Sequence, residues 1–146
     1  MACQGTNDPY NLQRFVDAQN STYARAQVEL SAGQKRGHWI WFIFPQLKGL
    51  GMSPMSQEFG LSSLDEAKEY SNHPILGARL KECTQLVLNV QGRSVDQIFG
   101  YPDNLKFRSS MTLFAKSAPD SQIFKDTLEK YFGSEGDPLT IERLGI

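Results

Sequence analysis

The sequence predicts an all-α fold: a compact single globular domain of about six to eight short helices, in orthogonal packing rather than as a long bundle. The first observation is that apolar residues recur at helical spacing in most segments of the chain. The second is that five segments open with a residue followed by proline, at 8–9, 53–54, 73–74, 101–102 and 137–138, and proline is favoured in the first turn of a helix. The third is the length of 146 residues, which is typical of one domain. We therefore expect a single domain over 1–146, with a compact core at about 8–133 and short tails at both ends.

The N-terminal part of the chain predicts an amphipathic helix. Asp8-Pro9 supplies a capping residue followed by proline, and Gly33 is a typical helix stop. The polar residues 20–22 are expected to bend or break this helix. Its apolar stripe consists of Leu12, Phe15, Val16, Tyr23, Ala26 and Leu30.

The most unusual stretch is 33–54, which holds both tryptophans. Its middle, HWIWFIF, fits either a buried strand or a buried helical turn, since a short apolar run does not decide between them. We favour a short helix, because no second strand with turn chemistry offers a partner and a lone strand leaves its backbone unpaired. Pro45 ends the run, and residues 46–52 are then a loop in which Gly49 and Gly51 are free to take positive φ.

The remainder of the chain predicts further short helices. Ser53-Pro54 opens one that ends near Gly60, and the capping box that begins at Ser63 predicts another at about 64–71. Later helices are expected to begin at 73–74, 94, 102–103, 120–121 and 137–138, with glycines after several of them. Their core-facing residues are Leu76, Leu80, Cys83, Val87 and Val90, then Phe107, Met111 and Phe114, then Ile123, Phe124, Leu128, Tyr131 and Phe132.

Composition and charge exclude several classes of protein. Apolar residues make up 40% of the chain and charged residues 21%, with a net charge of −1, as in an ordinary soluble globular protein. Because acids and bases are balanced, nucleic acid is not expected as a partner. The longest apolar run, from Trp39 to Phe44, is far too short to cross a membrane.

The cysteines and histidines predict neither a disulfide framework nor a metal site. Two cysteines, Cys3 and Cys83, are too few for such a framework, and no spacing typical of metal ligands occurs. The N-terminal MACQGTNDP lacks the apolar segment of a signal peptide. We therefore expect a cytoplasmic protein that uses no cofactor.

Several segments carry a resemblance to a known family. They are DPYNLQRFVDAQ, KRGHWIWFIFPQLKGLGMSPMS, SLDEAKEY, HPILGARLKECT and GRSVDQIFGYPDNLKFRSSMTLF. Over about residues 8–133 the chain closely resembles the bacterial domain of unknown function 1810. The resemblance implies a compact, mainly α-helical single domain and no established reaction, so it supplies no catalytic residues. Some members carry the label calpastatin, which indicates nothing about their function.

A more distant similarity to the NADAR fold, whose members act on ADP-ribose derivatives, rests only on size and helical content. The glutamate-containing motif of that family is not recognisable in this chain.

The two ends of the aromatic stretch form the first candidate site. Lys35 and Arg36 would hold an anion, and His38 would form a hydrogen bond or transfer a proton near neutral pH. Trp39 or Trp41 would stack on a base or a sugar. The alternative is that the stretch is core, because aromatic side chains bury more surface than any other.

The loop from Lys48 to Pro54 is the second candidate. Gly49 and Gly51 would let a ligand approach the backbone, and the helix that begins at Ser53-Pro54 would offer N–H groups to an anion. The alternative is a plain flexible turn.

The third candidate lies at 103–112. Lys106 and Ser110 share a helix face at i, i+4 and, with Ser109, would cradle a phosphate; serine–lysine nucleophilic chemistry is a further option. The alternative is that these serines form hydrogen bonds to their own helix backbone.

Together these candidates predict a small enzyme or a binding protein for an anionic small molecule, such as a nucleotide or an ADP-ribose derivative. The alternative is a protein-interaction module without catalytic activity, in which part of the aromatic stretch would form an exposed apolar patch. Whether the chain is an enzyme, and which oligomeric state it adopts, stay open. The catalytic candidates are His38, Lys106 and Ser110, and the ligand-binding candidates are Arg36, Trp39, Trp41, Gln46, Lys48, Gly49, Gly51 and Ser109.

Overall fold

A computed structural model describes residues 8–145 of the chain. The predicted N-terminal tail at 1–7, with Cys3, lies outside the described residues, as does Ile146. The predicted all-α class is confirmed, because every regular element in the described part is a helix. No helix among these residues is both long enough and apolar enough to cross a membrane.

The described residues form ten helices, somewhat more than the six to eight that the sequence predicts. The excess comes from the break in the first predicted helix and from segments of only one or two turns. The helices are α1 (Gln13–Asn20), α2 (Tyr23–Ser31), α3 (Ile40–Ile43), α4 (Pro54–Phe59), α5 (Leu64–Asn72), α6 (Leu76–Asn89), α7 (Val95–Phe99), α8 (Asp103–Ser117), α9 (Gln122–Phe132) and α10 (Pro138–Leu144).

Helix α8 is the centre of the molecule. It packs against α9, α5, α10, α7 and α3, and every residue from Ser109 to Ala115 is buried. A helix surrounded in this way buries polar residues as well as apolar ones, which is why its serines and threonines lie inside. Helix α6 forms a second layer against α9, α2 and α5.

The aromatic stretch is a short buried helix, as the absence of a partner strand predicts. Trp39, Phe42 and Phe44 are buried, whereas Trp41 is partly exposed. The ring of Phe44 lies 4.9 Å from that of Phe107 on α8, and the ring of Phe42 lies 5.3 Å from that of Phe59 on α4. The stretch therefore anchors neighbouring helices to one core.

The polar residues 20–22 break the first predicted helix into α1 and α2. The predicted cap at Asp8 is present, but α1 begins four residues further on than Pro9. The two carboxylate oxygens of Asp8 accept hydrogen bonds from the N–H groups of Leu12, at 2.7 Å, and Gln13, at 3.0 Å. Pro9 consequently lies in a turn that precedes the helix.

Four of the predicted caps form as expected. Side-chain oxygens of Ser53, Ser63, Ser94 and Asp137 accept hydrogen bonds from backbone N–H groups in the first turns of α4, α5, α7 and α10. Proline occupies the first helical position only in α4 and α10.

The aromatic stretch leads into a short parallel contact that holds the 46–52 loop. Leu61 N–H donates to the Gln46 carbonyl at 3.0 Å, and Lys48 N–H donates to the Leu61 carbonyl at 2.7 Å. Gly60 makes this approach feasible, since a Cβ there would lie 2.8 Å from the Cα of Lys48.

Candidate functional site

A groove with a volume of about 480 Å³ runs between α2 and the loop at 34–37. We call it the α2 groove. Two arginines, a glutamate and a glutamine supply its polar groups, and an exposed valine supplies an apolar wall. Its lining residues are Arg25, Val28, Glu29, Ala32, Gln34, Arg36 and Gly37.

Glu29 holds the loop that forms one wall of the groove. Its Oε1 accepts three hydrogen bonds, from Arg36 N–H at 2.7 Å, Gly37 N–H at 2.8 Å and the indole N–H of Trp39 at 2.9 Å. Gly37 fits here because a Cβ would lie 2.8 Å from Cδ1 of Trp39. The carboxylate thus connects α2, the loop and the aromatic stretch.

These donors keep Glu29 ionised. Burial acts to raise the pKa of the Glu29 carboxyl, but the hydrogen bonds from Gly37, Arg36 and Trp39 and the nearby charge of Lys35 outweigh it, so the pKa lies below its ordinary value. Within the described residues, Oε2 accepts no hydrogen bond, so one carboxylate oxygen remains available at the groove.

Neither arginine of the groove is neutralised by an acidic side chain of the described chain. Arg25 is exposed and its guanidinium forms no hydrogen bond or ion pair there, and the Arg36 guanidinium contacts only Oε1 of Gln34, at 3.2 Å. Val28 between them is 69% exposed. Guanidinium groups bind phosphate and carboxylate oxygens in pairs of parallel hydrogen bonds, so the groove has the chemistry to hold an anion.

Two lysines lie in a second cluster, between the aromatic stretch and α8. Nζ of Lys35 lies 2.6 Å from Oδ2 of Asp103, and Nζ of Lys106 lies 3.7 Å from Oδ1 of the same residue. Lys106 also lies over the ring of Trp41 at 4.7 Å, and Lys35 lies over the ring of Trp39 at 5.1 Å. Asp103 shares its single negative charge between the two lysines.

Two polar side-chain atoms of predicted site residues have no hydrogen-bond partner within residues 8–145. They are Nε1 of Trp41 and Oγ of Ser110, both buried. Ser109 and Thr112 on the same helix donate instead to the carbonyls of Leu105 and Arg108. Ser110 differs from these neighbours, since buried hydroxyls nearly always have a hydrogen-bond partner.

Cys83 has no nucleophilic character. Burial raises the pKa of its thiol to about 12, even though a hydrogen bond with Tyr23 acts in the opposite direction. The thiol therefore stays protonated and packs as a small apolar group.

Comparison with known proteins identifies the family. The model of a family described as a protein of unknown function, DUF1810, matches residues 9–144. The chain belongs to the DUF1810 family. Its fold is also that of the crystal structure of the conserved hypothetical protein Rv1873 from Mycobacterium tuberculosis, with 53% identity and a TM-score of 0.94, over 95% of this chain and 99% of that one. No curated protein matches the chain.

The structure distributes the predicted site residues of this DUF1810 protein over different places. Arg36 lies in the α2 groove, and Trp39 contacts that groove through Glu29. Trp41 and Lys106 belong to the second cluster, whereas Ser110 lies four residues after Lys106 on α8. His38 is exposed, and no hydrogen bond or ion pair of the described residues joins it to Lys106 or Ser110. Their predicted grouping around one ligand stays a prediction.

The glycine-rich loop is filled by the chain itself. A Cβ on Gly49, whose φ is +98°, would lie 2.4 Å from Nη2 of Arg143. A Cβ on Gly51 would lie 2.4 Å from Oγ of Ser56. The close approach that we expected from a ligand is thus made by side chains from α10 and α4, while Gln46 and Lys48 lie in the parallel contact beside them.

Sequence reasoning missed three polar groups of the groove: Arg25, Glu29 and Gln34. Arg25, Glu29 and Ala32 are spaced by four and three residues, so they share a face of α2, and this spacing was the available signal. An acidic residue on the polar side of a helix is usually exposed to solvent, and it rarely anchors a loop from a buried position. Only the folded 34–37 loop reveals the difference.

Proposed function

We propose that this DUF1810 protein binds an anionic small molecule of the nucleotide or ADP-ribose class in the α2 groove. Arg25 and Arg36 hold its phosphate groups, and Oε2 of Glu29 accepts a hydrogen bond from a ribose hydroxyl. Acidic residues bind ribose hydroxyls in this way in dinucleotide sites. The observation that carries the proposal is that two guanidinium groups without an acidic partner in the described chain line one groove.

The size and surface of the groove support this class of ligand. A volume of about 480 Å³ falls in the range of small-molecule sites. The exposed side chain of Val28 offers an apolar contact to a base or a sugar face. His38 follows Arg36 by two residues and stays the candidate for proton transfer, while Lys106 and Ser110 stay candidates on α8.

The alternative of a protein-interaction module requires part of the aromatic stretch to be an exposed apolar patch. Trp39, Phe42 and Phe44 are buried and Trp41 is partly exposed, so the stretch offers little apolar surface to a partner. The α2 groove therefore favours the ligand-binding function.

Isothermal titration calorimetry with ADP-ribose tests the proposal, with AMP and adenosine as partial ligands. We expect binding of ADP-ribose and AMP and none of adenosine, because the guanidinium groups act on phosphate. The variant Arg25→Gln/Arg36→Gln should weaken ADP-ribose binding by about a hundredfold, since a hydrogen bond to a charged group contributes about 1.5 kcal/mol or more per arginine.

The matched control is Lys116→Gln/Lys125→Gln, which removes two exposed positive charges from a different cavity. It should bind ADP-ribose as the wild type does. If both double variants lost affinity equally, the loss would come from the change in net charge and not from the groove. If no phosphorylated ligand gave a heat of binding, the proposed function would be rejected.

A further inference from the structure

The loop at 34–37, which forms one wall of the α2 groove, is tied to α8 by an ion pair. Lys35 of this loop pairs with Asp103, the first residue of α8. We propose that Lys35 and Asp103 are positioning residues of the α2 groove, which fix the backbone on both sides of Arg36 and so hold its guanidinium in the groove. The inference rests on the proposed function, because it assigns what keeps one of the two arginines ready for a ligand.

Lys35 is the buried member of the ion pair. Its side chain is only 5% exposed, and its Nζ lies 2.6 Å from Oδ2 of Asp103, whose side chain is 19% exposed. A charge removed from water in this way is stable only beside an opposite charge. Asp103 therefore determines where the Lys35 ammonium lies, whereas ion pairs between exposed side chains have little such effect.

Lys35 transmits its position to the backbone of the loop. Its Nζ donates a hydrogen bond to the Gly37 carbonyl, and its own N–H donates to the Ile98 carbonyl of α7 at 2.7 Å. The same Nζ lies 5.1 Å from the centre of the Trp39 ring, within the range of a cation–π contact. The residues on both sides of Arg36 are thus held by contacts with α7 and α8.

Glu29 holds the same loop from the side of α2. Its Oε1 accepts hydrogen bonds from the N–H groups of Arg36 and Gly37. Gly37 therefore has a charged partner for each backbone polar group, the carboxylate for its N–H and the Lys35 ammonium for its carbonyl. Such charge-assisted hydrogen bonds are about twice as strong as neutral ones. The Arg36 guanidinium forms no ion pair within residues 8–145, so the backbone is fixed while the guanidinium stays available to a ligand.

Loss of the Asp103 charge should release the loop. Asp103→Asn retains the size of the side chain but leaves the Lys35 ammonium without its counter-charge, so the ammonium should move towards water and give up the Gly37 carbonyl. If the loop then keeps its groove conformation for about one tenth of the time, ADP-ribose should bind about tenfold more weakly, because only that fraction of the protein is competent to bind. Isothermal titration calorimetry measures this change.

Amide hydrogen exchange of the ligand-free protein, followed by two-dimensional ¹H–¹⁵N NMR, provides a measurement that needs no ligand. In the wild type, Glu29 protects the amides of Arg36 and Gly37. In Asp103→Asn these two amides should lose nearly all of their protection, since the loop is open for most of the time. The amides of the buried residues Met111 and Leu113 on α8 report on global stability, so only the additional loss in the loop counts.

A purely structural role of the ion pair predicts a different result. Asp103→Asn would then lower the protection of the loop and of α8 by the same factor, and the folded protein would bind ADP-ribose with unchanged affinity. The two measurements together therefore distinguish a positioning role from a contribution to stability alone.

The matched control is Asp96→Asn, which removes the same charge from the first turn of the adjacent helix α7. Asp96 is exposed and forms no ion pair with the described residues. The variant should match the wild type in affinity and in the protection of the loop. The double variant Lys35→Met/Asp103→Asn should bind ADP-ribose no more weakly than Asp103→Asn alone, because losses at two residues that share one contact do not add.

The outcomes separate this inference from the proposed function. If the wild type bound no phosphorylated ligand, the proposed function would fail, and the exchange of the two loop amides would still decide whether the ion pair holds the loop. If the wild type bound ADP-ribose and Asp103→Asn bound it equally well, or kept the protection of both amides, the positioning role would be rejected and the proposed function would stand. Additive losses in the double variant would also reject it, because Lys35 and Asp103 would then act separately.

Discussion

At the scale of single residues, Glu29 shows how one buried carboxylate organises a surface. It lies on α2, yet its three hydrogen bonds go to the loop and the tryptophan that follow the helix. Such an arrangement keeps an ionised group inside the protein, because each donor replaces a water molecule that burial removed. The conformation of the α2 groove therefore depends on the charge of Glu29.

Replacement of Glu29 by glutamine should destabilise the protein by about 2 kcal/mol at neutral pH, the typical contribution of hydrogen bonds to a charged group. The pKa of Glu29 is lower in the folded than in the unfolded chain, so its contribution is present above its ordinary pKa of 4.5 and is lost as the pH falls through the lower, folded value. Urea unfolding at about pH 7 and about pH 3 measures both effects. A difference between wild type and Glu29→Gln that is the same at both pH values would contradict this explanation.

Ser110 should behave in the opposite way. Its hydroxyl is buried without a partner in the described chain, so Ser110→Ala should leave the free energy of unfolding unchanged or raise it by up to about 1 kcal/mol. The contrasting variant is Thr112→Val, whose lost oxygen accepts from Asp137 N–H at 2.8 Å. That variant should lose about 1–2 kcal/mol, because it leaves a backbone donor unsatisfied. Urea unfolding compares the two, and a clear loss of stability in Ser110→Ala would show that its hydroxyl is satisfied in solution.

At the scale of helices, four of the predicted caps form, whereas Ser121 makes no side-chain cap and the helix expected to begin at 73–74 begins at Leu76. A serine or aspartate directly before a helical segment predicted the caps at Ser53, Ser63, Ser94 and Asp137. Such caps are predictable because capping is a local interaction between neighbours in the chain. Asp8 illustrates the limit. Its cap forms, but a turn intervenes before α1 begins, and only packing decides how long such a turn is.

Gly77 depends on the contact between two helices and could not be interpreted from the sequence alone. It lies in the first turn of α6, where a Cβ would be 2.1 Å from the carbonyl oxygen of Ser71 at the end of α5. Glycine to alanine inside a helix usually stabilises by up to about 1 kcal/mol. Here the effect on stability should be the opposite. Gly77→Ala should lower the free energy of unfolding by about 2–3 kcal/mol, because the backbone of α5 or α6 must move to make room for the Cβ.

Thermal unfolding of Gly77→Ala measures this cost, and Ala78→Gly at the exposed neighbouring position provides the reference for helix propensity. Ala78→Gly should lose only about 1 kcal/mol. If Gly77→Ala were as stable as the wild type, α5 and α6 would not meet as closely as Ser71 and Gly77 indicate.

At the scale of the whole molecule, the sequence predicted what is buried better than what comes together. The composition of Trp39 to Phe44 favours core, and most of this stretch is buried. The candidate site was not predicted, because Arg25 and Arg36 line one groove only through the fold of a loop that Glu29 anchors. Contacts between residues so far apart in the chain have no local pattern from which to predict them.

The aromatic centre of the protein provides the test of whether it unfolds as a single domain. The ring of Phe107 on α8 lies 4.4 Å from that of Phe99, 4.9 Å from that of Phe44 and 6.4 Å from that of Phe132, so it connects α7, the end of α3 and α9. Phe107→Ala should cost about 3–5 kcal/mol, a large share of the 5–15 kcal/mol typical of a whole domain. Phe107→Leu retains most of the volume and should cost less, about 1–1.5 kcal/mol.

Urea unfolding of the wild type and both variants, followed by tryptophan fluorescence and by far-ultraviolet circular dichroism, measures these costs. The fluorescence reports on Trp39 and Trp41 beside this centre, whereas the dichroism reports on all helices together. Because the aromatic rings connect helices from both halves of the chain, we expect the two signals to change at the same urea concentration in each protein. Separate transitions in the wild type would mean that the helices form two independent units, and the single domain predicted from the sequence would then be wrong.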